Sequence, residues 1–119
     1  MPNKSYHDLV AEARQRVAEI SPREAIALQD AGDGAVFIDV REPNEWNLGY
    51  IPGALRIARG LLEQQVEQVP RDARVVIYCA SGNRSLLAGD TLHAMGYTNV
   101  TSLARGFRGW VEEGGDVEE

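Results

Sequence analysis

The stretch VVIYCASGNRSLLAGD, residues 75–90, holds the chain's one cysteine, Cys79, at a sharp change in residue type. Before Cys79 runs a continuous apolar segment, mostly β-branched, which is typical of a strand buried on both faces of a parallel sheet. After Cys79 come small and polar residues, followed by apolar residues at helical spacing. The pattern therefore predicts that Cys79 lies at the carboxyl end of a buried strand, just before a helix.

Strands and helices alternate along the rest of the chain. Short apolar runs predict further strands at 35–40 and 99–104, beside the one at 73–79. Amphipathic patterns predict helices at 5–20, 21–32, 60–69, 85–96 and 107–114. This alternation favours a three-layer α/β domain with a mainly parallel sheet.

The helices predicted at 5–20 and 60–69 each have an apolar face, and the helix predicted at 21–32 has an N-terminal capping pattern. The predicted inward residues are Leu9, Ala13, Val17 and Ile20 in the first helix, and Leu62, Val66 and Val69 in the helix at 60–69. Ser21 and Glu24 form a capping-box pattern around Pro22, and Gly32 follows as a stop.

The net charge of −6 is concentrated at the carboxyl end of the chain. The last eight residues, EEGGDVEE, carry five acidic groups and no basic one, which leaves 13 acidic against 12 basic residues elsewhere. A nearly neutral body without a basic stripe argues against nucleic-acid binding. We predict a solvated, mobile tail, with a docking segment as the alternative.

The composition also bears on location and on metal sites. No apolar run approaches the ~20 residues of a membrane span, and the start MPNKSYHDLV lacks the apolar segment of a signal peptide. We therefore expect a cytoplasmic protein that does not associate with membranes. One cysteine excludes an internal disulfide, and with only His7 and His93 beside it a Cys/His zinc site is not expected.

The residues after Cys79 predict an anion-binding loop. Ligands of parallel sheets gather beyond the carboxyl ends of the strands, and Gly82 and Asn83 both tolerate the positive φ that lets backbone N–H groups turn inward. The following helix, predicted to begin near Ser85, directs its partial positive charge to the same point. A thiolate at Cys79 is thereby favoured over the thiol. The alternative is a small, inert core cysteine.

Three blocks of the sequence resemble the rhodanese-like single-domain sulfurtransferase family. They are FIDVREPNEWNLGYIPGA at 37–54, VVIYCASGNRS at 75–85 and LARGFRGW at 103–110, within a resemblance that covers 20–114. The resemblance implies a central, mainly parallel five-stranded sheet flanked by helices, with a short first strand at Ala18–Ile20. The implied organisation is an N-terminal helical extension at 1–17, a rhodanese-like domain at 18–114 and an acidic C-terminal tail at 115–119.

The resemblance also implies a chemistry. Cys79 would take the sulfane sulfur of thiosulfate or a related donor as a persulfide, and a thiophilic acceptor would then remove it. The implied partners are a small-molecule sulfur donor and a thiol or cyanide acceptor, or a sulfur-relay protein. No cofactor or metal is required by this chemistry.

The candidate site residues follow from the strand ends and from the resemblance. Cys79 is the predicted nucleophile, Asp39 a structural residue near the site, and the predicted substrate-binding residues are Ala80, Ser81, Gly82, Asn83, Arg84, Ser85, Arg59 and Arg41. For Arg84 the alternative is a salt bridge to Glu42 or Glu45, and for Arg41 it is a surface ion pair. In the last block the family commonly has two glycines where Arg105 and Gly106 stand.

Two other function classes remain open. Protein tyrosine phosphatases and arsenate reductases also use an activated cysteine in an anion loop, but the phosphatase motif places arginine after five intervening residues. Here Arg84 follows only four, and Ser85 occupies the phosphatase position. The second alternative is a non-catalytic rhodanese-like module that carries sulfur or serves regulation.

Overall fold

A parallel five-stranded sheet forms the centre of the molecule in the computed structural model, which describes residues 3–119. The strands are β1 Ala18–Ile20, β2 Val36–Asp39, β3 Leu55–Arg56, β4 Val75–Tyr78 and β5 Val100–Leu103. Their order across the sheet is β1-β5-β4-β2-β3, so β4 is central. The predicted parallel sheet of five strands is therefore confirmed.

Helices flank this sheet. They are α1 Tyr6–Arg16, α2 Pro22–Ala31, α3 Pro43–Trp46, α4 Leu62–Gln65, α5 Asn83–Ala94 and α6 Gly106–Glu112, with 3-10 turns at Arg59–Leu61 and Val66–Gln68. The helix predicted at 60–69 is thus a short α-helix between two 3-10 turns. Residues 1 and 2 of the predicted N-terminal extension lie outside the described residues.

The apolar sequence of β4 reflects burial on both faces of the sheet. Val75 and Ile77 pack into a core on one face, which also contains Cys79 and part of α5. Val76 and Tyr78 pack into a second core on the other face, together with Trp110 of α6. Because both faces are covered, no polar residue interrupts the strand until it ends at Tyr78.

The helix predicted from periodicity at 5–20 is too long, whereas the short first strand at Ala18–Ile20 that the resemblance implies is confirmed. The helix ends at Arg16 because Ala18–Ile20 pair with β5, so Ile20 belongs to a strand. Val10, Ala13 and Val17 form the buried stripe, whereas Leu9 is 44% exposed. By contrast, the predicted inward residues Leu62, Val66 and Val69 and the capping box of α2 are confirmed.

Helix α1 braces α5, the helix that follows Cys79. Val10, Ala13 and Val17 pack against Leu86 in a small apolar cluster. Arg16 adds two hydrogen bonds to the carboxylate of Asp90, at 2.8 and 2.6 Å. The position of α5 is therefore fixed by α1 as well as by the sheet.

The backbone of the acidic tail is docked, which argues against the predicted mobility, whereas its acidic side chains are exposed to solvent, as predicted. Tyr50 and Glu118 exchange two backbone hydrogen bonds of 2.9 Å. The indole of Trp110 donates a 2.7 Å hydrogen bond to the carbonyl of Asp116. Backbone pairing fixes the tail, and this kind of pairing depends little on side-chain charge.

None of the helices within residues 3–119 combines the length and the apolar character needed to cross a bilayer.

Candidate active site

The sulfur of Cys79 lies in a curled loop directly after β4. Cys79 is fully buried, and its Sγ accepts hydrogen bonds from the backbone N–H groups of Gly82 at 3.1 Å and Ser85 at 3.4 Å. Gly82 makes the curl possible, since its φ of 106° is a conformation that other residues rarely adopt. Apolar residues of the sheet and α5 surround the sulfur on one side, and the loop places its two N–H donors on the other.

The other loop residues lie between these two donors or beside them. Ala80 and Asn83 are half-buried and Ser81 is exposed, and within residues 3–119 none of their side chains hydrogen-bonds to the sulfur. Asn83 is the first residue of α5, a 12-residue helix. The N-terminal dipole of this helix adds positive potential beside Cys79.

Helix α6 holds the loop from outside. Phe107 N donates to Cys79 O at 2.8 Å and Arg108 N to Ala80 O at 3.1 Å. This approach is close enough that a Cβ on Gly106 would collide with the Cys79 carbonyl. Arg105 precedes it with a φ of 60°, so it adopts the left-handed conformation that glycine favours.

Two buried hydroxyls stand behind the sulfur. Ser85 Oγ lies 3.5 Å from Cys79 Sγ, 3.3 Å from the Gly82 carbonyl oxygen and 2.8 Å from Ser102 Oγ. Ser102, on β5, was not predicted as a site residue. The available signal was a serine inside the apolar strand segment VTSL, where a buried polar side chain needs a partner.

Arg84 pairs with Glu45 across the mouth of the loop. Its two Nη atoms lie 3.1 and 3.2 Å from the two carboxylate oxygens, a bidentate pair. These hydrogen bonds raise the pKa of Arg84 and lower that of Glu45. The alternative reading of Arg84, a salt bridge that locks the loop, therefore describes the geometry, with Glu45 as the partner.

Arg41 and Asp39 form a buried ion pair beneath the loop that contains α3. Arg41 donates from its backbone N, Nε and Nη2 to the Asp39 carboxylate at 2.7–3.1 Å, and from Nη2 to the Gly49 carbonyl at 2.7 Å. Burial is the largest single influence and opposes ionisation of Arg41, but the hydrogen bonds to Asp39 and the attraction of its negative charge together raise the Arg41 pKa. The pair is buried and not on the surface, and within residues 3–119 Arg41 makes no hydrogen bond to Cys79 Sγ.

Within residues 3–119 Arg59 directs its guanidinium hydrogen bonds to side chains outside the Cys79 loop. Its guanidinium contacts Glu63 at 3.1 Å and Thr91 Oγ1 at 3.1 Å. Thr91 lies six residues after Ser85 along α5, a separation of about 9 Å in an α-helix. The structure therefore unites Cys79 with Gly82, Ser85 and Arg84, and leaves Arg41 and Arg59 in contacts of their own.

Comparison with known proteins agrees with this architecture. Residues 21–113 match the rhodanese-like domain family. The chain belongs to this family. No group of three or more His, Cys, Asp or Glu side chains in the described part of this rhodanese-like domain is arranged to hold a metal ion.

Named relatives point to sulfur transfer. A sulfurtransferase of Allochromatium vinosum is 38% identical over 73% of the chain and 80% of its own length. Thiosulfate sulfurtransferase GlpE of Pseudomonas entomophila is 34% identical over 76% of the chain and 82% of its own length. Family and relatives together support a rhodanese-type enzyme that transfers sulfur.

A solved structure covers nearly the whole domain, including α1. It is a protein of unknown function from Rhodopseudomonas palustris, described as a possible tyrosine phosphatase. It is 32% identical, covers 99% of both chains and superposes with a TM-score of 0.88. The superposition therefore includes the N-terminal helix of this chain.

The Arg84–Glu45 pair gives the domain a predictable dependence on pH. Because the folded pKa of Glu45 lies below its usual 4.5, the pair stabilises the fold above that pH, and this contribution is lost as pH falls through the lowered pKa. We expect Glu45→Gln to lower the free energy of unfolding by at most about 1 kcal/mol at pH 7, since the pair is partly exposed. Urea unfolding at a series of pH values measures this difference.

The matched control is Glu112→Gln, which removes the exposed partner of Arg105. We expect no measurable change there. The Glu45 difference should shrink below pH 4.5, and a difference that grew in acid would contradict the assignment.

Proposed function

We propose that this rhodanese-like domain is a thiosulfate sulfurtransferase that carries sulfur as a persulfide on Cys79. The observation that carries the proposal is the pair of backbone N–H groups, from Gly82 and Ser85, directed at Cys79 Sγ. Fixed donors around a sulfur atom stabilise a negative charge at that point without reorganisation. The relationship to thiosulfate sulfurtransferase GlpE supports the choice of donor.

In the first step the Cys79 thiolate attacks the outer, sulfane sulfur of thiosulfate. A bond forms between Cys79 Sγ and that sulfur, while the sulfur–sulfur bond within thiosulfate breaks and its electron pair leaves with sulfite. Cys79 then bears a terminal persulfide anion, so the net charge on the protein is unchanged. This is covalent catalysis by an activated cysteine.

In the second step a nucleophile attacks the terminal sulfur. Its electron pair forms the new bond, the persulfide bond breaks, and the Cys79 thiolate is restored. Cyanide would give thiocyanate, and a thiol would give a new persulfide. The chain has one cysteine, so a thiol acceptor must come from another molecule, either a small thiol or a sulfur-relay protein.

Arg84 contributes little net charge to this loop, because Glu45 occupies both of its Nη atoms. The positive potential around the sulfur then comes mainly from backbone N–H groups and the N-terminus of α5. Such a loop suits a singly charged persulfide. A tetrahedral dianion would need an arginine free to bind two oxygens.

A phosphatase is the second candidate, because the Rhodopseudomonas relative is described as a possible tyrosine phosphatase. The loop argues against it in two ways. Arg84 follows Cys79 after four residues instead of five, and its guanidinium is paired with Glu45. The position of the phosphatase arginine is taken by Ser85, a buried side chain hydrogen-bonded to Ser102.

The persulfide is the direct test of the proposal. We expect incubation with thiosulfate to add the mass of one sulfur atom to the intact protein, and cyanide to remove it as thiocyanate. Because Cys79 is the only cysteine, the intact mass assigns the adduct without fragmentation. An unchanged mass would refute the proposal. If the adduct forms but neither cyanide nor a thiol removes the sulfur, the protein is a sulfur carrier and not a sulfurtransferase.

A further inference from the structure

A buried serine on the sheet stands directly behind the active-site loop. Ser102 lies on β5, on the same face as α5, and it is fully buried. Within residues 3–119 its hydroxyl has one hydrogen-bond partner, Ser85 Oγ, at 2.8 Å. Buried hydroxyl hydrogens are costly without an acceptor, and Ser85 Oγ is the hydrogen-bond partner of Ser102, so we assign Ser102 as the donor of this hydrogen bond.

We propose that Ser102 is a positioning residue: by donating to Ser85 Oγ, it frees the Ser85 hydroxyl hydrogen to point at the sulfur anion on Cys79. This inference rests on the proposed function, because it assigns Ser102 a role in stabilising the sulfur anion that Cys79 carries in that function. Ser102 does not contact the sulfur itself, and it acts only through Ser85.

The hydrogens can be assigned one by one in the thiol state. Ser85 Oγ has two lone pairs and one hydrogen. It accepts from Ser102 and from the Cys79 S–H, 3.5 Å away, and it donates to the Gly82 carbonyl at 3.3 Å. Every hydroxyl in the group then has a partner, and no water is required.

Loss of the thiol proton changes one hydrogen bond in this group. The sulfur can then only accept, so the Ser85 hydroxyl turns from the Gly82 carbonyl toward Cys79 Sγ. Ser102 continues to donate to Ser85 Oγ, and this polarises the Ser85 hydroxyl as a donor. The sulfur anion then has three donors, namely Gly82 N, Ser85 N and Ser85 Oγ.

A purely structural role for Ser102 makes a different prediction. If Ser102 merely satisfied a buried polar group, its loss would lower stability and leave the ionisation of Cys79 alone. The charged groups around the loop are the same in all the variants below, and they include the Arg84–Glu45 and Asp39–Arg41 pairs and also Glu42, Arg105 and Arg108. Any change in the pH profile of Cys79 therefore reports on the hydroxyl groups.

The test measures the rate of Cys79 alkylation by iodoacetamide against pH. We expect Ser102→Ala to lower the rate in the acidic limb of the profile about threefold to fivefold, the effect of one lost hydrogen bond. Ser85→Ala should lower it by at least as much. In the double variant Ser102→Ala should add nothing, because Ser102 acts through Ser85.

The control is Thr101→Val, which removes a hydroxyl from the same strand that contacts the Val75 carbonyl instead of the loop. We expect its profile to match the wild type. Should Ser102→Ala not fold, the equal-sized pair Ser102→Thr and Ser102→Val makes the same comparison, and only the valine variant should be shifted.

Two results would overturn the proposal: a Ser102→Ala profile equal to the wild type, or additive effects in the double variant. Either result leaves the proposed sulfur transfer standing if the wild type still gains one sulfur from thiosulfate. Absence of that gain removes the proposed function, whatever the alkylation profiles are. The two ideas can therefore fail separately.

Discussion

Cys79→Ala is expected to abolish thiocyanate formation from thiosulfate and cyanide, with a fall of at least about a thousandfold. The variant has no thiol, so it cannot form the covalent intermediate on which both proposed steps depend. The loop donors that remain, Gly82 N and Ser85 N, then have no sulfur nucleophile to stabilise. Thiocyanate release by wild type and variant at equal concentration measures the effect.

The fold of the variant must be checked separately, because two buried N–H groups lose their acceptor. We expect Cys79→Ala to cost about 1–2 kcal/mol in the free energy of unfolding, which still leaves a folded protein at 25 °C. Thiocyanate formation that survives the substitution would disprove a persulfide on Cys79. Cys79-dependent hydrolysis of p-nitrophenyl phosphate, without thiocyanate, would favour the phosphatase.

The layered fold could be predicted from the sequence because its central strands are local signals. Val75–Tyr78 are apolar or aromatic at every position and mostly β-branched, which is typical of a strand covered on both sides. Periodicity alone could not predict the end of α1, since Ile20 continues the apolar spacing of the helix; only the family resemblance placed a strand at Ala18–Ile20. Pairing with β5 decides between the two, and that contact lies over 80 residues away in sequence.

The geometry of the candidate site could be predicted where consecutive residues determine it. Cys79, Gly82 and Ser85 lie within seven positions, so a strand end, a turn glycine and a helix start fix their geometry. Contacts between residues that are far apart in the sequence were harder to predict. Two examples are the hydrogen bond between Ser85 and Ser102 and the pairing of Arg84 with Glu45 instead of Glu42. Both depend on how strands and loops pack, which the periodicity of the sequence does not predict.

The same reasoning explains why Arg41 was difficult to assign. Its place after a strand end favours the sheet edge where ligands bind, and an arginine there suggests contact with an anion. Folding instead places it against Asp39, two residues earlier, and over the ring of Phe107 at 4.4 Å. A short-range carboxylate partner of this kind is visible in the sequence, but its burial depends on α6.

Gly106→Ala is expected to have the second largest effect, although Gly106 contacts no substrate in the proposed mechanism. Its Cβ would collide with the Cys79 carbonyl and lie 2.7 Å from the Ala80 carbonyl oxygen, at a φ of 54° that already disfavours alanine. Both obstacles are backbone atoms of the active-site loop, so no side-chain rotation relieves them. We expect a loss of about 3 kcal/mol or more in the free energy of unfolding.

Sulfur transfer by this variant should fall about a hundredfold, because a shift of the loop by about 1 Å misaligns its donors. Two other glycines separate the causes. Gly53 has a positive φ of 78°, and a Cβ there would have no atom within 4 Å. Gly53→Ala therefore measures backbone strain alone, which should lower the free energy of unfolding by about 1 kcal/mol. Gly60 has neither a positive φ nor an atom close to the added Cβ. The free energy of unfolding of Gly60→Ala should therefore lie within about 0.5 kcal/mol of the wild-type value. If Gly106→Ala cost no more than Gly53→Ala and retained full activity, the contact between α6 and the Cys79 loop would not be what positions the sulfur.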